Sequence, residues 1–225
     1  MIPDFTPIIL TLKLALVTTI ILLIIGMPLA YWLAYAKTRF KYIFEAVINT
    51  PLVLPPSVLG FYFLLFFSPE NTIGKFLKNT FNLKMVFTFE GLVLGSVIFS
   101  LPFMVQSIQA GFQGLPSSLK EASYTLGKSK LQTAIRVLIP NIKPAILTGI
   151  VLTFAHTIGE FGLVLMIGGS IPGVTKVASI AIYEEVESLN YSTAHFFAFT
   201  LLFISFSLLL LIYYLNNRIF KPVIK

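Results

Sequence analysis

IILTLKLALVTTIILLIIGMPLAYWLAYA, residues 8–36, carries a single charged side chain, Lys13, in its whole length. A helix needs about 20 consecutive apolar residues to cross the hydrocarbon core of a bilayer. A membrane strand would need alternating segments of about 10 residues, and this run does not alternate. It therefore reads as a transmembrane α-helix. Four further runs of the same kind follow at 42–67, 86–110, 141–168 and 194–215. A sixth apolar piece, 174–186, is shorter and ends among Glu184, Glu185 and Glu187. It reads as a re-entrant or interfacial helix.

Composition agrees. Of 225 residues, 56% are hydrophobic and 11% charged, where a soluble domain carries about 25% charged residues. The mean hydropathy is +0.90. The expected fold class is an all-α integral membrane protein with about five transmembrane helices, a short re-entrant or interfacial helix and one cytoplasmic loop of substance. Residues 1–225 read as a single transmembrane domain, since no linker, low-complexity segment or internal repeat interrupts them. The first span is expected to remain attached. Asp4 and the absence of a basic residue before Lys13 do not fit a signal peptide. With no cysteine in the chain, disulfides, iron–sulfur clusters and thiolate metal sites are excluded.

Positive residues near spans stay in the cytoplasm. With the N-terminus outside and five spans, the inner segments hold Lys37, Arg39, Lys41, Lys120, Lys128, Lys130, Arg136, Lys143, Arg218, Lys221 and Lys225, eleven of the sixteen basic residues. The expected orientation is thus N-terminus outside and C-terminus cytoplasmic. Topology then accounts for the net charge of +7, and no nucleic-acid partner is implied.

The inner loop GLPSSLKEASYTLGKSKLQTAIRVLIP, residues 114–140, separates two spans. Ser118 and Glu121 have capping-box spacing. Pro116 stops the preceding helix, and Gly127 is placed for a left-handed helix end. Ser129 caps a second helix, and Pro140 and Pro144 mark the start of the fourth span. The loop so predicted is a short helix, a sharp turn and a second helix at the inner surface. An amphipathic connector lying on lipid headgroups is the plainer reading of the same residues. Gly127-Lys128-Ser129 resembles the end of a phosphate-binding loop, but position 122 is alanine rather than glycine and no buried strand precedes it. The one aspartate, Asp4, is too far away to hold magnesium. The chain is not expected to bind ATP itself.

Within the spans, Glu160 lies one helical turn after His156. Two readings stand. Glu160 lines a path or gate, with Gly159 and Gly162 allowing close helix approach, or it pairs with His156 or caps a bend. A carboxylate repels anions, so a role in positioning a helix is favoured over direct anion binding. The histidines do not form H-E-x-x-H, which leaves a zinc-protease reading without support. Pro51, Pro55 and Pro56 are expected to break the second span, either lining a cavity or serving packing alone. Gly91 and Gly95 have the spacing of a helix-packing pair. A stand-alone ion-coupled carrier would show paired intramembrane acids or matching broken repeats. An intramembrane enzyme would need a nucleophile–base or metal constellation. Neither pattern is present in the sequence.

Glu121-Ala122-Ser123, Gly127 and Val137-Leu138-Ile139-Pro140 resemble the EAA loop of ABC importer permeases, whose pattern is E-A-A, three residues, G, nine residues, I-x-L-P. Ser123 replaces alanine, Val137 isoleucine and Ile139 leucine. The segments PLVLPPSVLG (51–60), HTIGEFG (156–162), GGSIPG (168–173) and ASIAIY (178–183) are similar to the molybdate permease branch. Sulfate and thiosulfate permeases share much of this. The resemblance implies a homodimer in a bacterial or archaeal cytoplasmic membrane, with two ATPase subunits beneath it. A periplasmic or surface oxyanion-binding protein delivers molybdate or tungstate, and no cofactor is involved. It makes Ser118, Glu121, Ala122, Ser123, Gly127 and Pro140 the ATPase-coupling loop. Pro55, Pro56, Gly159, Glu160, Phe161 and Gly162 become candidates for the pathway or gate. Some relatives carry an additional N-terminal span, which this sequence begins without.

Overall fold

A computed structural model describes residues 4–219, with side chains as far as residue 214. Lys221 and Lys225, counted among the inner positive charges, lie outside the described residues, as does the side chain of Arg218. The described chain is helical throughout. The helices are α1 (Thr6–Tyr35), α2 (Phe40–Val53), α3 (Pro56–Phe67), α4 (Thr72–Phe81), α5 (Phe89–Gln113) and α6 (Ser117–Thr125). They continue as α7 (Lys130–Thr133), α8 (Ile139–Asn141), α9 (Lys143–Ile158), α10 (Gly162–Gly168), α11 (Ala178–Glu187) and α12 (Tyr191–Ile219), with a π-helical turn, Ala134–Leu138, joining α7 to α8.

Among the described residues, α1, α5 and α12 are each long and apolar enough to cross a membrane unbroken. Two further spans are bent. The second span is not one kinked helix: α2 and α3 meet at 111°. The break is at Leu54–Pro55, whereas Pro51 sits inside α2. The reason lies in the donors. Pro55 and Pro56 both lack an N–H, so two successive i→i−4 bonds cannot form, while a lone Pro51 costs only one. The other bend, of 74°, lies at Ile142, where the segment Lys130–Asn141 meets α9, and the fourth span is interrupted once more farther along. α9 ends at Ile158 and α10 resumes at Gly162, with Gly159, Glu160 and Phe161 between them.

The bundle is built on α5, which packs against α1 and α9, while α1 also packs on α9. Their crossing point is the fully buried Met104 of α5. A Cβ on Gly26 of α1 would lie 3.0 Å from Met104 Cγ, and one on Gly149 of α9 would lie 3.2 Å from its sulfur. Two glycines thus let three helices close around one flexible thioether, which fills the irregular gap. Because lipid is as apolar as the core, such close packing holds membrane helices together. Burial, not polarity, separates the faces of α1: Leu14, Ala15, Thr18 and Leu22 turn inward, while Leu16, Ile20 and Ile24 are exposed.

Gly95 acts as the sequence suggested, its missing Cβ making room for Leu163 of α10, 2.5 Å away. Gly91 does not. A Cβ there would strike the Met85 carbonyl of the segment leading into its own helix. Thr88 caps that start by accepting the Gly91 N–H.

α1 spans about 45 Å at 1.5 Å per residue, so its two ends mark the two ends of the bundle. At one end Tyr35 meets α5 and α6: its hydroxyl donates to the Phe112 carbonyl, and Lys120 stacks on its ring. At the other, the start of α1 packs on α11, where Thr11 Oγ1 accepts the Ala178 N–H. α11 is the short piece expected at 174–186. Its Ala178, Ile180 and Ala181 are buried, and it turns directly into α12.

Candidate functional site: the α6–α7 loop and the broken fourth span

At the Tyr35 end the chain leaves α5 at Gln113 and begins α6 at Ser117, with the extended Pro116 as its cap residue. Ser118 therefore lies inside the first turn, and no side chain caps this helix. The capping box expected from Ser118 and Glu121 is absent because the helix starts from Pro116, two residues before Ser118. The box occurs instead one helix later. Ser129 Oγ accepts the Gln132 N–H and Gln132 Oε1 accepts the Ser129 N–H, both at 3.2 Å.

Between the two helices, Gly127 is left-handed at φ +72°. Its N–H donates to the Tyr124 carbonyl at 2.9 Å, and that of Lys128 to Ser123 at 3.1 Å. This pair of bonds is the Schellman arrangement that satisfies carbonyls at a helix end.

α6 presents two faces. Glu121 and Ala122 are exposed, while Ser123, one of the three departures from the family pattern, is 5% exposed and bonded at 2.8 Å to the hydroxyl of buried Thr133 on α7. The sequence reading missed Thr133. A hydroxyl ten residues beyond Ser123 finds it only because the Gly127 turn folds the helices together. Lys120 lies over the Tyr35 ring at 3.6 Å. Partial burial holds its ammonium below the ordinary lysine range, and the charges of Lys37 and Lys130 add to this. The outward side carries Leu126 and Leu131, 76% and 69% exposed. Pro140 lies in α8, straight after the π-turn, in which Ile139 N–H reaches back to the Ala134 carbonyl. Glu121, Ala122, Ser123 and Gly127 thus belong to one helix–turn–helix unit, with Pro140 where that unit joins the fourth span.

The break in that span lies deeper in the bundle. Glu160 is 4% exposed and does not pair with His156. Each takes a serine of α5 instead. Ser96 Oγ donates to Glu160 Oε2 at 2.7 Å, and Ser100 Oγ lies 2.9 Å from His156 Nδ1 and 3.0 Å from Thr157 Oγ1. Ser96 and Ser100 are four apart, hence on one face of α5. That spacing inside an apolar span was the available signal for them, and the reading of the sequence passed over it. The His156 ring sits between Phe99 and Phe103, with centroids 4.8 and 4.2 Å away. The Glu160 carbonyl, freed by the break, accepts from Ser179 of the segment containing α11. The break is thereby tied to two neighbouring helices by hydroxyls.

Pro56, Gly159, Glu160, Phe161 and Gly162 line one cavity of about 570 Å³, together with Ser57, Phe99, Ala155 and His156. Pro55, the cap residue of α3, adjoins it. A Cβ on Gly162 would come within 3.2 Å of Pro56 Cβ, so the two span breaks face each other across this space. Glu160 Oε1 has no hydrogen-bond partner there.

Residues 26–221 match the family of binding-protein-dependent transport system inner membrane components. The chain is 42% identical over 218 residues to the molybdenum transport system permease protein ModB of Azotobacter vinelandii, covering 97% of this chain and 96% of that one. It is 33% identical to a probable sulfate transport system permease protein, cysT, of Prototheca wickerhamii, covering 92% and 80%. Among solved structures, the fold matches a chain of the inward-facing MetNI methionine ABC transporter with a TM-score of 0.74 at 15% identity, over 96% of this chain and 95% of that one. That last likeness concerns the fold alone. The match over residues 26–221 and the near-full-length identity to a molybdenum permease, on a bundle of unbroken and bent apolar spans, place the chain in the family of binding-protein-dependent transport system inner membrane components.

Proposed function

We propose that this chain, taken over residues 1–225 as one transmembrane unit, is the permease subunit of an ABC importer that moves molybdate, and tungstate with it, into the cell. The observation that carries the cargo is the 42% identity, across nearly the full length of both chains, to the Azotobacter vinelandii molybdenum permease. The working unit is a homodimer with two ATPase subunits against its α6 faces and an oxyanion-binding protein at the opposite end. The Tyr35 end is cytoplasmic, because Lys37, Arg39, Lys41, Lys120, Lys128 and Lys130 gather there. The N-terminus is then outside and the C-terminus inside.

α6 acts as the lever. When ATP draws the ATPase subunits together, α6 moves with them, and its anchorage through Ser123 and Gly127 passes the displacement through the π-turn and Pro140 into α9. A packed bundle answers such a push by switching between discrete arrangements. The cavity between the α2–α3 and α9–α10 breaks is where the path opens. Pro55, Pro56, Gly159, Phe161 and Gly162 shape its wall, and Glu160 holds the break to α5. Hydrolysis takes place on the ATPase partner, and the permease carries no chemistry of its own.

Sulfate transport is the second reading, favoured by the 33% identity to the sulfate permease. Uptake of labelled molybdate, with and without the gene and with excess sulfate as competitor, separates the two. Uptake that disappears with the gene and ignores sulfate supports molybdate. Uptake that sulfate blocks supports the second reading, and uptake unchanged by loss of the gene overturns the assignment of cargo.

A further inference from the structure

A groove of about 390 Å³ opens between the inner end of α1 and the α7–π segment. Met27, Pro28, Tyr31 and Phe112 line its α1–α5 side, and Ala134 and Ile135 line the other. Its wall is apolar apart from one charged residue, Lys130. Two features fix its depth. Tyr31, Trp32 and Tyr35 fall within the last turns of α1, where aromatic side chains mark the membrane–water boundary. Met27 and Pro28 lie one turn farther toward the hydrocarbon. The groove therefore crosses the boundary, with its apolar floor in the lipid layer and its lysine on the water side. Lys37 and Lys130 each lie near enough to Lys120 for their charges to act on it, so the water side is a small cluster of positive charge.

We propose that this groove is a binding site for an anionic phospholipid of the inner leaflet, its acyl chain along Met27, Pro28 and Ala134 and its phosphate at Lys130. Charge complementarity selects this occupant: an apolar slot with lysines at headgroup level suits a molecule that is a hydrocarbon at one end and an anion at the other. A bound lipid would wedge α1 against the segment that leads from α6 to α9, and the lever would then move against a filled wall. The inference rests on the membrane placement of the chain and not on its cargo.

The test is to purify the whole transporter in detergent from membranes containing phosphatidylglycerol and phosphatidylethanolamine and to quantify the lipid it retains. The wild type is expected to hold phosphatidylglycerol above its share in the membrane. Lys130→Gln is expected to lower that retention about fivefold, equivalent to about 1 kcal/mol for one lysine at the surface. Ala134→Phe, which fills the slot, is expected to reduce retention of both lipids, with assembly on the ATPase checked by gel filtration. A variant that fails to assemble is replaced by Ala134→Leu. Retained lipid that mirrors the membrane and is the same in all variants overturns the proposal. So does efficient disulfide crosslinking between two permeases through Leu131→Cys, clean to read in a chain without cysteine, since the groove would then be an interface between copies.

Discussion

The bond between Ser123 and Thr133 offers the sharpest test of the lever. Both residues are buried, at 5% and 1% exposure, and their hydroxyls are 2.8 Å apart. α6 packs within this chain mainly on α7 and the π-turn, so this bond is a large part of its anchorage. Ser123→Ala leaves the Thr133 hydroxyl buried without that partner, and a buried polar group so stranded costs about 1–3 kcal/mol. Thr133→Val strands Ser123 in the same way. Removing both hydroxyls leaves two apolar groups of similar shape, which is nearly neutral. The double variant should therefore be more stable than either single one. Hydrogen exchange of the reconstituted transporter reads the effect. Amides of residues 117–125 should exchange about 5- to 150-fold faster in each single variant and near the wild-type rate in the double. ATP hydrolysed per ion imported should rise in the single variants and fall back in the double. Additive losses, with the double variant worst, would refute the reasoning, as would single variants with wild-type protection.

Other expectations follow from the same geometry. A side chain at Gly127 would meet no atom within 4 Å, but φ is +72°, so Gly127→Val should cost about 1–2 kcal/mol through the backbone alone. It should uncouple ATP hydrolysis from uptake while membrane insertion persists, and Gly127→Asn should be milder; normal uptake by the valine variant would count against the lever. Gly149→Val drives a β-branched side chain toward the Met104 sulfur and carbonyl, 3.2 and 3.3 Å from the position of its Cβ. Overpacking of this kind costs about 1–3 kcal/mol and should appear as a lower melting temperature of the assembled transporter. Glu160→Gln keeps an oxygen to accept from Ser96, whereas Glu160→Leu does not. Uptake and folded yield should survive the first far better than the second, and equal loss in both would show that the charge itself is required.

At the opposite end, Glu184 pairs with Lys176. Burial pushes its carboxyl up, but the hydrogen bonds of Lys176 and Ser170 and the charge of Lys176 outweigh this and hold it below the ordinary 4.5. The folded value is thus depressed. The contribution of the pair is present above about pH 4.5 and is lost as pH falls through the lowered folded value. It is small, because the pair is partly exposed. Proteolysis of the 169–177 loop should rise in that acid window in the wild type and should not respond to pH there in Glu184→Gln.

Much of this protein is legible without coordinates. The uninterrupted apolar runs fix a helical membrane fold, since a backbone in hydrocarbon must satisfy its own hydrogen bonds within each segment. Local spacing also carries the Gly127 turn and the cap at Ser129, because these are contacts within a few residues of the chain. The limits of local reading appear at Ser118, where a serine and glutamate in capping spacing form no cap because Pro116 starts the helix first. Only the tertiary structure decides the partners of the buried polar groups. His156 and Glu160 are four residues apart and look like a pair, yet each bonds to a serine of α5 more than 50 residues away. The same holds for the two span breaks that face one cavity and for the glycines that close three helices around Met104. In an apolar sequence every face of a helix looks alike, and which face meets which neighbour is settled by shape and by the few hydroxyls that need a partner.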